Sequence, residues 1–414
     1  MQTQTIYTAF IILTIFMAMF SYLNTRFFRL PSSMGILLIS LIFSLLLLLL
    51  GNWFPNMSLE MKGLINKVNF SDLLMHIMLG FLLFAGGLHV EMDSFRKDIG
   101  SIITFSTISV IISTVVVGSL LYLLYRVGLL HVPPIYCFIF GALISPTDPI
   151  AVGSILSKSG LPKGLQTKVA GESLLNDSAG IVLFIGLVEL AESGTTGLNY
   201  LQIIWLFIRE AGGGLAWGFI TGYGCFYLIR TIDDYKTEIF ITIALVMGGY
   251  LVAEQLNISG ALSMAVAGII VGNHGRQRAL NKITEDYLLK FWELIDEILN
   301  AMLFLLIGLE MLVIPVHSHL IIVAPLCFIA VIVARWVSIF VPGYFINRKR
   351  PLENHAIKIL TWCGLRGGIS IGLALSLSDN HDAGHLISVT YAVVILSIII
   401  QGSTIEYLLK RTTK

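Results

Sequence analysis

The chain has 414 residues, of which 56% are hydrophobic and 12% charged, with a formal net charge of +1 at pH 7. Soluble domains carry roughly 25% charged residues, so this composition, with a mean hydropathy of +0.86, excludes an ordinary soluble protein and indicates a polytopic membrane protein. The near-zero net charge carries no argument for nucleic acid, and no nucleic-acid partner is expected.

Apolar runs of about 17 to 25 residues, the length that crosses roughly 30 Å of hydrocarbon as a helix, recur thirteen times. They centre near residues 15, 42, 80, 113, 146, 179, 215, 245, 264, 303, 330, 367 and 398. The first is preceded by "MQTQTIYTAF", which has no basic n-region, and no small-residue cleavage site follows it, so it is expected to be a retained span. With the N-terminus outside, the inside loops hold 20 of the 26 Lys and Arg residues, while the outside loops hold Lys62, Lys67 and Arg126. Arg209, Arg335 and Arg366 fall within spans. The positive-inside rule therefore predicts an external N-terminus and a cytoplasmic C-terminus. The longest polar stretch, residues 272 to 293, is too short for a domain and is expected to be an amphipathic segment on the inner surface. The cysteines, Cys137, Cys225, Cys327 and Cys363, lie singly in or beside apolar runs, without a C-x-x-C pair, and are expected to pack.

Charged groups deep in spans are costly and mark functional sites by default. In chain order they are Asp148 in "SPTDPIAV", Glu172 and Asp177 in "GESLLNDS", Glu310 in "LIGLEML", Arg335 in "VARWVSI" and Arg366 in "GLRGGIS". Glu189, Arg209, Glu210 and Glu254 lie nearer span ends, where a long side chain reaches the interface. Residues four apart share a helix face, so Ser173 stacks with Asp177, and Glu172 stacks with Asn176 on another face. The Ser173 hydroxyl and the Asp177 carboxylate together suit a hard cation. Glu172 needs a cationic partner, for which Arg335 and Arg366 are the arginines deep in other spans.

The backbone supplies a second signal. Pro146 and Pro149 each lack an N–H, so a break is expected around Thr147 and Asp148. Gly364, Gly367 and Gly368 loosen the chain around Arg366 in the same way. These interruptions lie in spans five and twelve, at matching places if residues 1–192 (spans one to six) and 233–414 (spans eight to thirteen) are inverted repeats joined by span seven within 193–232. Paired interruptions of this kind point to a transporter's binding site.

"SPTDPIAV", "GESLLNDSAGIVLF", "LLIGLEM", "ARWVSIFVPGYFINRKR" and "TWCGLRGGISIGLALSLS" resemble the monovalent cation/proton antiporters, which include bacterial NhaP-type proteins and animal sodium/proton exchangers. The resemblance runs in order from about residue 75 to 400. It implies an all-α fold of thirteen helices in two inverted repeats with broken crossing helices, usually a homodimer. It places the family's Asn-Asp pair on Asn176 and Asp177, its Thr-Asp-Pro break on Thr147, Asp148 and Pro149, and its serine ligand on Ser173. Its buried glutamate falls on Glu172, its partner arginine on Arg335 and the arginine of the second break on Arg366. Asp177, Ser173, Asp148 and Thr147 are thus the expected ligands of a monovalent cation. Several members carry a glutamate in the third span where this chain has Ala85, and regulation by a long cytoplasmic tail like that of animal exchangers is not expected.

The implied activity is exchange of sodium or lithium for protons by alternating access, with no cofactor and no enzymatic reaction. Asn176 stands where electrogenic relatives carry a second aspartate, which implies electroneutral exchange. The same residues would serve potassium/proton exchange. An intramembrane aspartyl protease with Asp148 and Asp177 as its dyad is a weaker alternative, because Gly-x-Gly-Asp and Tyr-Asp motifs are missing. A channel is disfavoured too, since nothing resembles a carbonyl-lined filter.

Overall fold

The computed structural model describes residues 2–51, 61–63, 65, 70–130, 132–148, 161–193, 205–274, 282–314, 320–349, 352–353, 355–377 and 384–412. Among these residues the regular structure is helical, with no strand. The helices run in the order α1 (Gln2–Leu23), α2 (Ser32–Leu50), α3 (Phe70–Leu88), α4 (Phe95–Arg126), α5 (Pro134–Ile144), α6 (Lys163–Ser193) and α7 (Gly213–Ile229). They continue as α8 (Tyr235–Gln255), α9 (Gly260–His274), α10 (Lys282–Glu310), α11 (Leu320–Lys349), α12 (Ala356–Trp362), α13 (Gly368–Leu375) and α14 (Gly384–Arg411).

By length and composition, 8 helices among the described residues can cross a membrane: α1 to α4, α6, α8, α11 and α14. α5 and α9 are shorter apolar helices, and α7 has 17 residues. Large apolar side chains such as Phe219, Ile220 and Tyr227 on α7, and Ile321 and Ile329 on α11, face outward, as a lipid-facing surface requires. Two of the thirteen expected centres fall on non-helical chain, at Pro146 and Gly367.

Packing divides the helices into two groups. α4 packs on α5, α6 and α11, and α14 packs on α11 and α13. In the other group α9 packs on α3 and α7, and α10 packs on α2 and α3. Small residues make the second group's close contacts. A Cβ on Gly218 of α7 would fall 2.6 Å from the Ser263 carbonyl oxygen of α9, so only glycine allows this approach.

Residues 282–293 correct one expectation. They alternate buried and exposed positions, as an amphipathic segment does, but are the first turns of α10, continuous to Glu310, while residues 275–281 of the same stretch lie outside the described residues. Their apolar face explains why: Trp292 is fully buried against Phe81 and Phe84 of α3, and its indole N–H donates to Thr242 of α8 at 3.0 Å. Lys168, one of the 20 basic residues assigned to the inside loops, also has a place in the packing. It is buried at the start of α6, with Nζ 2.7 Å from Glu353 and 3.3 Å from Asp98, tying α6 to α4 and to the chain ahead of α12. The four cysteines are all buried and free.

Candidate functional site

Two unwound segments meet in the first packing group. α5 ends at Ile144, and residues 146–148 run without helical bonds; Pro149 lies outside the described residues. α12 ends at Trp362, and α13 begins at Gly368 after an extended Gly367. Such ends leave carbonyls and amides unpaired, and a buried one must find partners. Here each segment supplies the other. The Asp148 N–H donates to the Leu365 carbonyl at 2.8 Å. Arg366, 1% exposed, donates from Nη1 to the carbonyls of Ser145 and Pro146 at the C-terminal end of α5. A guanidinium there offsets the negative end of the helix dipole, which is where a cation is most favourable. Its own backbone N–H donates to Ser397 Oγ of α14 at 3.1 Å.

The mirror arrangement holds at the start of α13. A Cβ on Gly367 would fall 2.5 Å from Asp148 Oδ2, so the carboxylate lies against that glycine at the helix N-terminus. The crossing thus sets an arginine at one helix's C-terminal end and an aspartate at the other's N-terminal end, each suited to the local dipole.

α6 passes beside the crossing and presents its polar residues to it. Asn176 Nδ2 donates to Thr147 Oγ1 at 2.7 Å and to Glu172 Oε1 at 2.8 Å, and its Oδ1 accepts from the Thr147 N–H at 3.3 Å. Ser173 Oγ lies 3.2 Å from Thr147 Oγ1. An amide donates to a carboxylate with its NH2 and accepts from a backbone N–H with its oxygen at the same time, which suits asparagine to this position without a change of charge. Glu172 receives Arg335 of α11 in two parallel bonds, each 2.8 Å, with both side chains buried. That is the fork geometry at which arginine surpasses lysine. Gly364 makes room for the guanidinium, since a Cβ there would meet Arg335 Nε at 2.5 Å.

Asp177, 6% exposed, opens instead onto a cavity of about 110 Å³. Asp148, Pro146, Gly367 and Ser370 form one side of this cavity, and Leu79, Leu82, Leu83 and Gly86 of α3 form the other. Ala85 is buried toward Phe84 and Leu88 and is not among the lining residues. A second cavity, about 260 Å³, is lined by Gly86, His89, Glu91, Gln166 and Thr167 and shares Gly86 with the first. Leu174 of α6 approaches Gly86 at this junction.

The other sequence candidates sit apart. Glu310, at the end of α10, is buried but does not line either cavity. His76 pairs with Glu254 at 2.7 Å, and His89 Nδ1 lies 2.8 Å from the Ala85 carbonyl oxygen. Arg209 donates to the Asn257 carbonyl, and the Glu210 carbonyl accepts from the Ser259 N–H. Sequence reasoning missed Asp296 of α10, a third carboxylate lining the Asp177 cavity. Its signal was an acid two helical turns ahead of Leu303, at the centre of an apolar run.

Comparison with known proteins agrees with this architecture. The chain is 43% identical over 411 residues to the Na(+)/H(+) antiporter NhaP of Pseudomonas aeruginosa, covering 97% of this chain and 95% of that protein. It is 32% identical over 316 residues to the Na(+)/H(+) antiporter NhaH of Halobacillus dabanensis, covering 75% and 76%. The solved structure of the sodium proton antiporter MjNhaP1 from Methanocaldococcus jannaschii superposes with a TM-score of 0.77 over 100% of this chain and 99% of that one, at 18% identity, and so shares the fold. Residues 12–411 match the family described as sodium/hydrogen exchanger, transmembrane. With its apolar helices, its crossed unwound segments and near full-length relatives, this multi-pass membrane protein belongs to the sodium/hydrogen exchanger family.

Proposed function

We propose that the chain exchanges sodium, or lithium, for protons by alternating access, with Asp177 binding either substrate in turn. The observation that carries this reading is a buried carboxylate opening onto a cavity at the crossing of two unwound helices, with a second carboxylate, Asp148, on the same wall. Cation and proton then compete for one group, which couples their movements. Thr147 and Ser173, whose hydroxyls meet each other outside the cavity lining, would turn toward Asp177 to supply oxygens once a cation is bound, and Arg366 offsets charge at the crossing. Glu172 and Arg335 neutralise each other and are structural in this reading. Asn176, neutral and fully engaged, leaves Asp177 as the group that changes charge on α6, which supports electroneutral exchange. The polar cavity at His89, Glu91 and Gln166 would be the cytoplasmic approach, closed off by Gly86 and Leu174.

The finer architecture belongs to the same proposal. Thirteen spans form two inverted repeats, 1–192 and 233–414, around span seven within 193–232, with the N-terminus outside and the C-terminus inside a bacterial inner membrane. The glycine-packed group of α3, α7 and α9 suits a fixed scaffold, and a homodimer would form through that side. The intramembrane-protease alternative has only its two aspartates to support it.

Purified protein in liposomes with a trapped pH dye, challenged with sodium, lithium and potassium in turn, tests the function. Dye response to sodium or lithium alone is expected, and a response to potassium alone would assign the chain to potassium/proton exchange. Gly367→Ala tests the crossing. The added methyl collides with Asp148, so maximal exchange should fall by about tenfold while stability drops by about 1 to 3 kcal/mol, the usual cost of overpacking. Wild-type exchange in that variant would mean the position of Asp148 is immaterial.

A further inference from the structure

The cavity beneath Asp177 contains a carboxylate that the exchange cycle above does not use. Asp296 reaches it from α10, which packs on α2 and α3 and also touches the crossing through Leu303, whose side chain lies against Gly368. Among the described residues no Lys, Arg or His forms an ion pair with Asp296.

Two further polar groups belong to this place, Ser370 in the cavity wall and Asn300 beside Asp296 just outside the lining. Ser370 of α13 lines the cavity, is 1% exposed, and its Oγ has no hydrogen-bond partner. Asn300 follows Asp296 by one helical turn and is 4% exposed. It stands beside the Asp296 carboxylate, yet neither of its amide atoms completes a hydrogen bond of good geometry. Its face is the one that bears Asp296 and Leu303, both of which line the cavity. Buried hydroxyls and amides are nearly always paired in native interiors, and an unpaired one lining a cavity calls for an explanation such as a bound ion or water. A carboxylate, an amide oxygen and a hydroxyl are the oxygen donors that a hard cation takes.

We infer that Asp296, Asn300 and Ser370 form a second station for a monovalent alkali cation, at the same cavity as Asp177, which the ion occupies on its way to or from that site. This rests on the reading of the cavity as the exchange site. The second station joins α10 to α13, so an ion handed on to Asp177 moves within one cavity from the α10 side to α6. Asp177 then needs to release its proton only once a cation is already in the cavity.

The test is sodium-driven proton flux in liposomes over a sodium series, for wild type, Asp296→Asn, Asp296→Glu, Ser370→Ala and Asp177→Asn. Asp296→Asn should raise the apparent KM for sodium by about tenfold, the worth of one charged contact, and raise it more than it lowers the maximal rate. Ser370→Ala should move KM the same way by less, and Asp296→Glu should recover part of the loss. A merely structural Asp296 would lower the maximal rate, or the amount of folded protein, and leave KM alone. Binding of radioactive sodium to detergent-purified Asp177→Asn should persist weakly and disappear when Asp296→Asn is added. An unchanged sodium KM in Asp296→Asn overturns the second station. If Asp296→Asn fails to fold, an unchanged KM in Ser370→Ala does the same. Should Asp177→Asn itself still exchange, the exchange site is elsewhere and the functional reading fails with it; an inactive Asp177→Asn beside a wild-type KM in Asp296→Asn removes the second station alone.

Discussion

Asp177→Asn is expected to give a folded protein whose sodium-driven proton flux is lost. Asparagine is nearly isosteric with aspartate, and Asp177 faces a cavity, so the substitution leaves packing intact. What it removes is the group that alternates between proton and cation. An amide neither takes up a proton near neutral pH nor attracts a cation as a carboxylate does, so exchange should fall by at least about a hundredfold, as when an essential acid–base group is lost. Thermal melting and size-exclusion behaviour should match wild type. Appreciable flux in a folded variant would remove Asp177 from the mechanism.

The same competition fixes the sign of the pH dependence in wild type. Below the titration midpoint of the site the carboxyl is protonated and ligates a cation poorly, so apparent sodium affinity should fall by about tenfold per pH unit. Above that midpoint affinity levels off, and flux declines because no proton is available for the return step, giving a bell-shaped profile. Sodium affinity measured in liposomes with equal pH on both sides checks this. An affinity independent of pH through the active range would mean that proton and cation use separate sites.

Local features of the site were legible in the sequence because they depend on spacing within one element. The four-residue interval set Asn176 on the face of Glu172, and their side chains are hydrogen bonded. Pro146 marked the end of α5, and the glycines around Arg366 marked the second unwound segment. What spacing does not give is azimuth between helices. Arg335 and Arg366 lie equally deep in the sequence, and only packing separates them: Arg335 faces Glu172, whereas Arg366 turns to the carbonyls of Ser145 and Pro146. Ser173 illustrates the same limit, since stacking beside Asp177 does not reveal that its hydroxyl meets Thr147. Asp296 and Lys168 were missed for a related reason. Each lies toward the charged end of a helix, where a sequence reader assigns it to the membrane surface, yet α10 and α6 extend beyond their apolar runs and carry these residues into protein. The close approach of α7 to α9 was likewise invisible as a contact, although glycine's value for such packing is general.

Removing either Glu172 or Arg335 should be among the most destabilising single changes in the chain. The pair is buried, at 1% and 4% side-chain exposure, and bidentate, so truncating one member strands the other charge. Such losses are typically about 3 to 5 kcal/mol. The two variants should also differ in kind. Glu172→Ala deprives Asn176 of an acceptor and so loosens its hold on Thr147, whereas Arg335→Ala frees the Leu360 carbonyl ahead of the second unwound segment. Both should lower the melting temperature, and the double variant should lose clearly less than the sum, because the second truncation removes the charge that the first left unpaired. Isosteric Glu172→Gln is the sharper probe. It keeps an acceptor oxygen but withdraws the charge that balances Arg335, so stability should fall while the shape of the site persists. A melting cycle of Glu172→Ala with Arg335→Ala, run beside one of Glu172→Ala with Arg366→Ala, decides the pairing. Strict additivity in the first cycle would dissociate Glu172 from Arg335, and coupling confined to the second would transfer its partnership to the arginine that otherwise serves the end of α5.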